Sequence, residues 1–274
     1  MSVILPQILA RRRPNTVRFW ILFIPGFIGI VSFFLLVDLS ALVALFPVPP
    51  GTQIPPITPV VKLLGLIQPT VLLALAVFSG VMLAQRVGLS SPFAEALVTR
   101  HPAWPALKAQ LPPAVVGGAI GGAAILVLAA VSKLMLTADV IQRLHEFGNL
   151  LPLPTRLLYG GLTEELLLRW GLMTFLVWVI WRLAQRRQPK PTTTTFVAAI
   201  LLSSIMFAIG HLPIAIMLVG ERTFSIIFFV VLANSAFGLV AGYLYWKYGL
   251  ESAMIAHMLV HVVLVVASHA GAYF

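Results

Sequence analysis

The sequence predicts an all-α polytopic membrane protein, a bundle of about seven transmembrane helices within a range of six to eight. Three observations carry this. Of the 274 residues, 60% are hydrophobic and 9% charged, against about a quarter charged in a soluble chain. Mean hydropathy is +1.01. The apolar runs are continuous rather than alternating, which excludes a membrane β-barrel.

The elements follow in order. MSVILPQILARRRPNTVR leads into a long apolar run beginning at Phe19. That run exceeds the roughly 7–15 residues of a signal-peptide core, and no small-x-small cleavage site follows it. We read it as an uncleaved first span over 19–37, which can extend to Phe46. PVPPGTQIPPITP is too rich in proline to be helical, and the second span covers 63–84. Residues 88–111 mix apolar and charged side chains around three prolines (Pro92, Pro102, Pro105) and suit an interfacial segment. Further spans are expected at 113–136, 157–183, 196–219, 224–246 and 251–269, with RRQPKPTTTT as a polar loop after the fourth. The chain thus divides into an N-terminal transmembrane region, 1–150, and a C-terminal helical core, 151–274. Gly117, Gly118, Gly121 and Gly122 in the third span, and Gly238 and Gly242 in the sixth, mark close helix–helix approach.

The net charge of +10 does not form one patch, so no nucleic-acid partner is expected. Basic residues flank the spans instead. Arg11, Arg12, Arg13, Arg18, Arg86, Arg100, Lys108, Arg182, Arg186, Arg187, Lys190 and Lys247 fall on one side. Lys62, Lys133, Arg143, Arg156 and Arg222 fall on the other. The positive-inside rule places the first group, and the N-terminus, in the cytoplasm. A multi-pass protein of the plasma or cell membrane is expected. The absence of cysteine excludes disulfides, thiolate metal ligands and a thiol nucleophile.

The chemistry concentrates in the C-terminal half. In GLTEELLLRWG, Glu164, Glu165 and Arg169 lie inside an apolar span. Each such charge costs about 2.5–3.5 kcal/mol near the middle of a membrane helix. Glu165 and Arg169 are four apart in the order that favours a same-face ion pair. Glu164 is turned about 100° from Glu165 on an α-helix, so it is left to face a different neighbour or a cavity. His211 lies in the fifth span two residues before Pro213, where a kink is expected. His257 and His261 share one face of the seventh, and Asn234 lies in the sixth. Taken at 1.5 Å per residue, Glu164 lies about 10 Å from the outer edge of its span and His257 about 9 Å from the inner edge of its own. These depths meet if the span ends lie several residues from those drawn or if the helices tilt.

Carboxylates and imidazoles without a thiol suit general-base activation of water. Ser203, Ser204, Ser235 and Ser252 lack a G-x-S-x-G setting. HMLVH has the histidine spacing of a zinc-protease helix without its glutamate. A zinc ion held by His211, His257, His261 and Glu164 is nonetheless chemically reasonable. Three readings compete: an intramembrane endopeptidase, a proton-coupled transporter or channel, and a non-catalytic immunity or scaffold protein. No internal repeat relates the two halves, which counts against the inverted-repeat transporters.

The order E-E-x-x-x-R (Glu164, Glu165, Arg169), F-x-x-x-H (Phe207, His211) and a last-helix His257 resembles the CAAX-protease and bacteriocin-processing family. This is the type II CAAX prenyl endopeptidase family, related to Ras-converting enzyme. FGLVAGYLYWKYGLESAMIAHMLVH is similar to the family's approach to its last motif, and the resemblance covers about residues 155–266. It implies an intramembrane protease acting on a membrane-embedded peptide or protein, with the bilayer as its surroundings. Glu164 and His211 would activate a water, Glu165 and Arg169 would support the site, and the last-helix pair would stabilise the oxyanion. His261 stands where the family usually has Asn; a neutral imidazole can still donate one hydrogen bond.

Overall fold

The computed structural model describes residues 4–48, 51 and 55–271, with side chains from residue 15 onward. Among these residues the chain is helical throughout and contains no strand. The helices in chain order are α1 (Ile4–Leu36), α2 (Leu39–Ala44), α3 (Pro59–Gly65), α4 (Ile67–Val87), α5 (Pro92–Val98), α6 (Ala103–Ser132) and α7 (Ala138–Asn149). The fourth span is composite: α8 (Leu153–Thr155), two π-helical segments, π1 (Arg156–Glu164) and π2 (Leu166–Met173), and α9 (Thr174–Ala184). Then come α10 (Thr193–Val219), α11 (Phe224–Tyr248) and α12 (Leu250–His269). Among the described residues, seven helical stretches are long and apolar enough to cross a membrane: Asn15–Leu36, Pro59–Val87, Ala103–Ser132, Leu153–Ala184, Thr193–Val219, Phe224–Tyr248 and Leu250–His269. They correspond one to one with the expected spans, and the protein is an integral, multi-pass membrane protein.

Two local expectations change. The first span does not run on to Phe46: the chain breaks after α1, and Asp38 caps α2 by accepting from the Ser40 and Ala41 amides at 3.0 Å. The segment 88–111 is not one interfacial unit. Its first part forms α5, whereas 103–111 are the opening turns of α6, with Pro112 and Pro113 inside the helix. Pro105 sits in the first turn, where backbone N–H groups have no intrahelical acceptor in any case. Transmembrane helices tolerate interior prolines because neighbouring groups take up the freed carbonyls.

Small residues set the packing. α6 lies against α12 and α11 along its glycines: a Cβ at Gly118 would meet Leu259, one at Gly122 would meet Val263, and one at Gly117 would meet Leu244. Gly238 and Gly242 do the same for α11 against Ser204 and Ile200 of α10. The fourth span is pinned to α1 by Thr163, whose hydroxyl donates to Gly26 O at 2.7 Å. It is pinned to α4 by Trp170, whose indole N–H donates to Val77 O at 3.2 Å.

The amphipathic helix α7 was not expected. Thr137 accepts the Val140 amide at its N-terminus. Val140, Ile141 and Leu144 pack onto a small core of Leu136, Ala215, Ile226 and Val230, while Asp139 and Arg143 pair at 3.1 Å on the other face. At the opposite end of the last span, buried Glu251 accepts hydrogen bonds from the Ser91 hydroxyl at 2.5 Å, the Ala94 amide at 3.3 Å and the Gln110 amide group at 3.1 Å. That carboxylate ties α5, α6 and α12 together.

Candidate active site

The site begins with the fourth span. Its π-helical segments replace i→i+4 closure by i→i+5, a wider turn that is rare and concentrated at functional sites. Glu165 lies at the junction of π1 and π2 and is completely buried, as is Arg169. Their Nη1–Oε1 separation is 3.2 Å, the ion pair the spacing predicts. Arg169 is further held by donation from Nη2 to Gly238 O at 3.2 Å. Its guanidinium also lies over the rings of Phe207 at 5.1 Å and Phe237 at 5.9 Å. A buried ion pair needs such additional partners to offset desolvation.

The same Glu165 oxygen takes a third group: His257 Nδ1–H donates to it at 2.8 Å. A carboxylate can only accept, so this bond fixes the tautomer of neutral His257 and leaves Nε2 unprotonated. That Nε2 faces Glu164 Oε2 at 3.9 Å. The α-helical expectation of about 100° between the two glutamates therefore fails in detail. The wider π turn rotates the chain less per residue, and both carboxylates reach the same imidazole. The side chain of Glu164 is 18% exposed. It makes no hydrogen bond to a described residue and opens into a cavity of about 820 Å³. The depth gap between Glu164 and His257 is thereby closed.

His211, His257 and His261 line the same cavity. His211 Nδ1–H donates to Phe207 O at 2.9 Å, within one helical turn, so its Nε2 carries the free lone pair. Its ring meets Phe207 edge-on at 4.6 Å. His261 stacks on His257 with centroids 4.9 Å apart and planes 17° apart. Its Nδ1 is buried without a partner. An unsatisfied acceptor is tolerated more often than an orphaned N–H, which favours the tautomer with the proton on Nε2. That nitrogen occupies the space a Cβ of residue 160 would fill; Gly160 is what admits an imidazole at 261.

Glu164, Glu165, Arg169, His211, His257 and His261 thus lie in or directly behind the wall of one cavity. The proposed zinc set does not form as such. Among the described residues no three His, Asp or Glu side chains are gathered as metal ligands. The Nδ1 atoms of His211 and His257 donate to Phe207 O and Glu165, the support that metal-bound imidazoles usually have, so it is the spacing of the side chains that leaves no closed tetrahedral set. The serines weighed as nucleophiles give their hydroxyl protons to backbone carbonyls, Ser203 and Ser204 to Ile200 O and Ser252 to Gln110 O. Residues missed in the sequence include Phe237, whose ring lies 4.5 Å from that of His257, and Tyr159, whose side chain lines the cavity beside Gly160. Nothing in the sequence distinguishes them from ordinary lipid-facing aromatics.

Fold and site together define an integral membrane protein with an acid–imidazole centre inside its spans. Residues 146–263 match the model of the Rce1-like family, described as type II CAAX prenyl endopeptidase Rce1-like. No curated protein and no solved structure matches the chain. The recognition drawn from the three motifs is borne out over that stretch, which contains every site residue named above. That stretch is similar to a family of membrane endopeptidases of the CAAX-protease type.

Proposed function

We propose that the protein hydrolyses a peptide bond of a membrane-embedded peptide or protein, with Glu164 as general base. The supporting observation is the division of labour between adjacent carboxylates. Glu165 is consumed by Arg169 and His257, whereas Glu164 faces the cavity without a hydrogen-bond partner among the described residues. A water bound between Glu164 and His211 Nε2 would lose a proton to Glu164 as its oxygen attacks the carbonyl carbon. His257 and His261 line the side on which the carbonyl oxygen develops charge, and the Nε2–H of His261 is a donor for it. When the C–N bond breaks, Glu164 returns the proton to the leaving amine. Glu165 and Arg169 hold His257 in place, and no step is routed through a metal.

The test is purified Glu164→Gln in lipid bilayers, assayed on a membrane peptide that the wild-type protein cleaves. Loss of cleavage with an unchanged fold is expected. Full activity in this variant excludes the mechanism. Solute uptake in proteoliposomes that depends on Glu164, without any cleavage, would favour transport instead.

A further inference from the structure

Resting on the endopeptidase reading, we propose that Tyr159 is a further catalytic residue, its phenolic O–H donating a hydrogen bond to the oxyanion of the tetrahedral intermediate. Three observations converge on it. First, Tyr159 and Glu164 are both in π1, five residues apart. On an α-helix, five residues at 100° each would leave them about 140° apart, facing different neighbours. On a π-helix, with about 4.4 residues per turn, five residues pass one full turn by only about 50°, so the phenol stands one turn from the general base on an adjoining part of the same side. Tyr159 is close enough to interact electrostatically with Glu164.

Second, the hydroxyl has no hydrogen-bond partner among the described residues. The ring itself is held, packing on Phe33 of α1 with centroids 5.6 Å apart. Its side chain lines the cavity that also holds Glu164, His211, His257 and His261. Half-buried tyrosine hydroxyls usually find a partner, and here the available direction is into the cavity.

Third, the donors on the last helix are few. In its neutral form His257 has one N–H, and that proton is given to Glu165. His261 therefore supplies one donor where tetrahedral intermediates of acyl transfer are typically met by two. Tyr159 directly precedes Gly160, over which His261 Nε2 is seated, and both Tyr159 and His261 line the one cavity. In the reaction the proton of the attacking water goes to Glu164 and later to the amine. Tyr159 keeps its proton throughout and contributes only the hydrogen bond.

The experiment compares wild type, Tyr159→Phe and Glu164→Gln in bilayers, on one quenched-fluorescence membrane peptide chosen because the wild-type protein cleaves it. Tyr159→Phe should lower kcat about 100-fold, the scale of one lost oxyanion donor, and leave KM within about threefold. The same peptide with a phosphinate in place of the scissile amide should lose affinity for Tyr159→Phe by about the same factor. Binding of the uncleaved peptide to Glu164→Gln should be unaffected by adding Tyr159→Phe. An unchanged kcat, or a loss confined to KM, overturns the role of Tyr159 while leaving Glu164 standing. If Glu164→Gln cleaves as well as wild type, or wild type cleaves no peptide in a broad membrane-peptide set, the endopeptidase reading falls and takes this one with it.

Discussion

A methyl group placed at residue 160 gives the sharpest physical test of the site. The Cβ of Gly160→Ala would land on His261 Nε2 and lie 3.1 Å from the neighbouring ring carbon Cδ2. Neither partner can yield easily. Residue 160 belongs to a helical backbone fixed against α1 three residues on through Thr163. The ring of His261 is backed by His257, which is itself tied to Glu165. Overpacking of this kind costs about 1–3 kcal/mol, or about five- to 150-fold in a folding equilibrium. His261→Asn shortens the side chain that is struck. In that background Gly160→Ala should therefore cost little, giving a coupling of at least about 1 kcal/mol in a double-mutant cycle. The assay is reversible SDS unfolding of the purified protein in mixed micelles, run alongside the cleavage rate. Gly210→Ala is the control: Gly210 also lines the cavity, but a Cβ there meets nothing within 4 Å. A Gly160→Ala variant as stable as wild type, or an equal cost in the His261→Asn background, refutes the seating of His261 over Gly160.

Arg169→Met should destabilise by about 3–5 kcal/mol, because Glu165 stays completely buried without its cation. Glu165→Gln added to it should recover part of that loss in the same unfolding assay. By contrast, Glu164→Gln should unfold with the wild-type profile while losing cleavage, since its carboxylate faces the cavity and holds nothing together. Replacing Glu251 by Leu removes the acceptor shared by Ser91, Ala94 and Gln110. Each lost hydrogen bond to a charged group is worth about 1.5–3 kcal/mol, and limited proteolysis should show α5 released. The half-buried carboxyl of Glu95 in α5 is raised above the usual range by burial, with Arg18 opposing. Well below the usual carboxylate range both the folded and unfolded states are protonated. As pH rises, the unfolded chain ionises first and stability falls until the folded carboxyl has ionised too. Glu95→Gln should flatten that decline, and unfolding midpoints measured across the acid range would check it.

How far the sequence reached depends on which periodicity governed each part. Hydropathy located all seven spans because about 20 apolar residues are required whatever the neighbours do. The glycine pairs at spacing four marked true contacts because α6 and α11 are regular helices. The Glu165–Arg169 pair was legible too, since residues four apart remain neighbours on either kind of turn. What the α-helical period concealed was the shared imidazole. It sent Glu164 about 100° away from Glu165, whereas His257 lies within 2.8 Å of one carboxylate and 3.9 Å of the other. The same error hid Tyr159, because residues five apart return toward one side only after the helix has widened. No single residue type announces a π-helix. Its register is settled by what the turn must reach, here Glu165 between Arg169 and His257, with Gly160 and Gly161 against the last span. The chemistry of the site was therefore readable one residue at a time. Its geometry was not, because it belongs to the packing of the fourth span against the seventh.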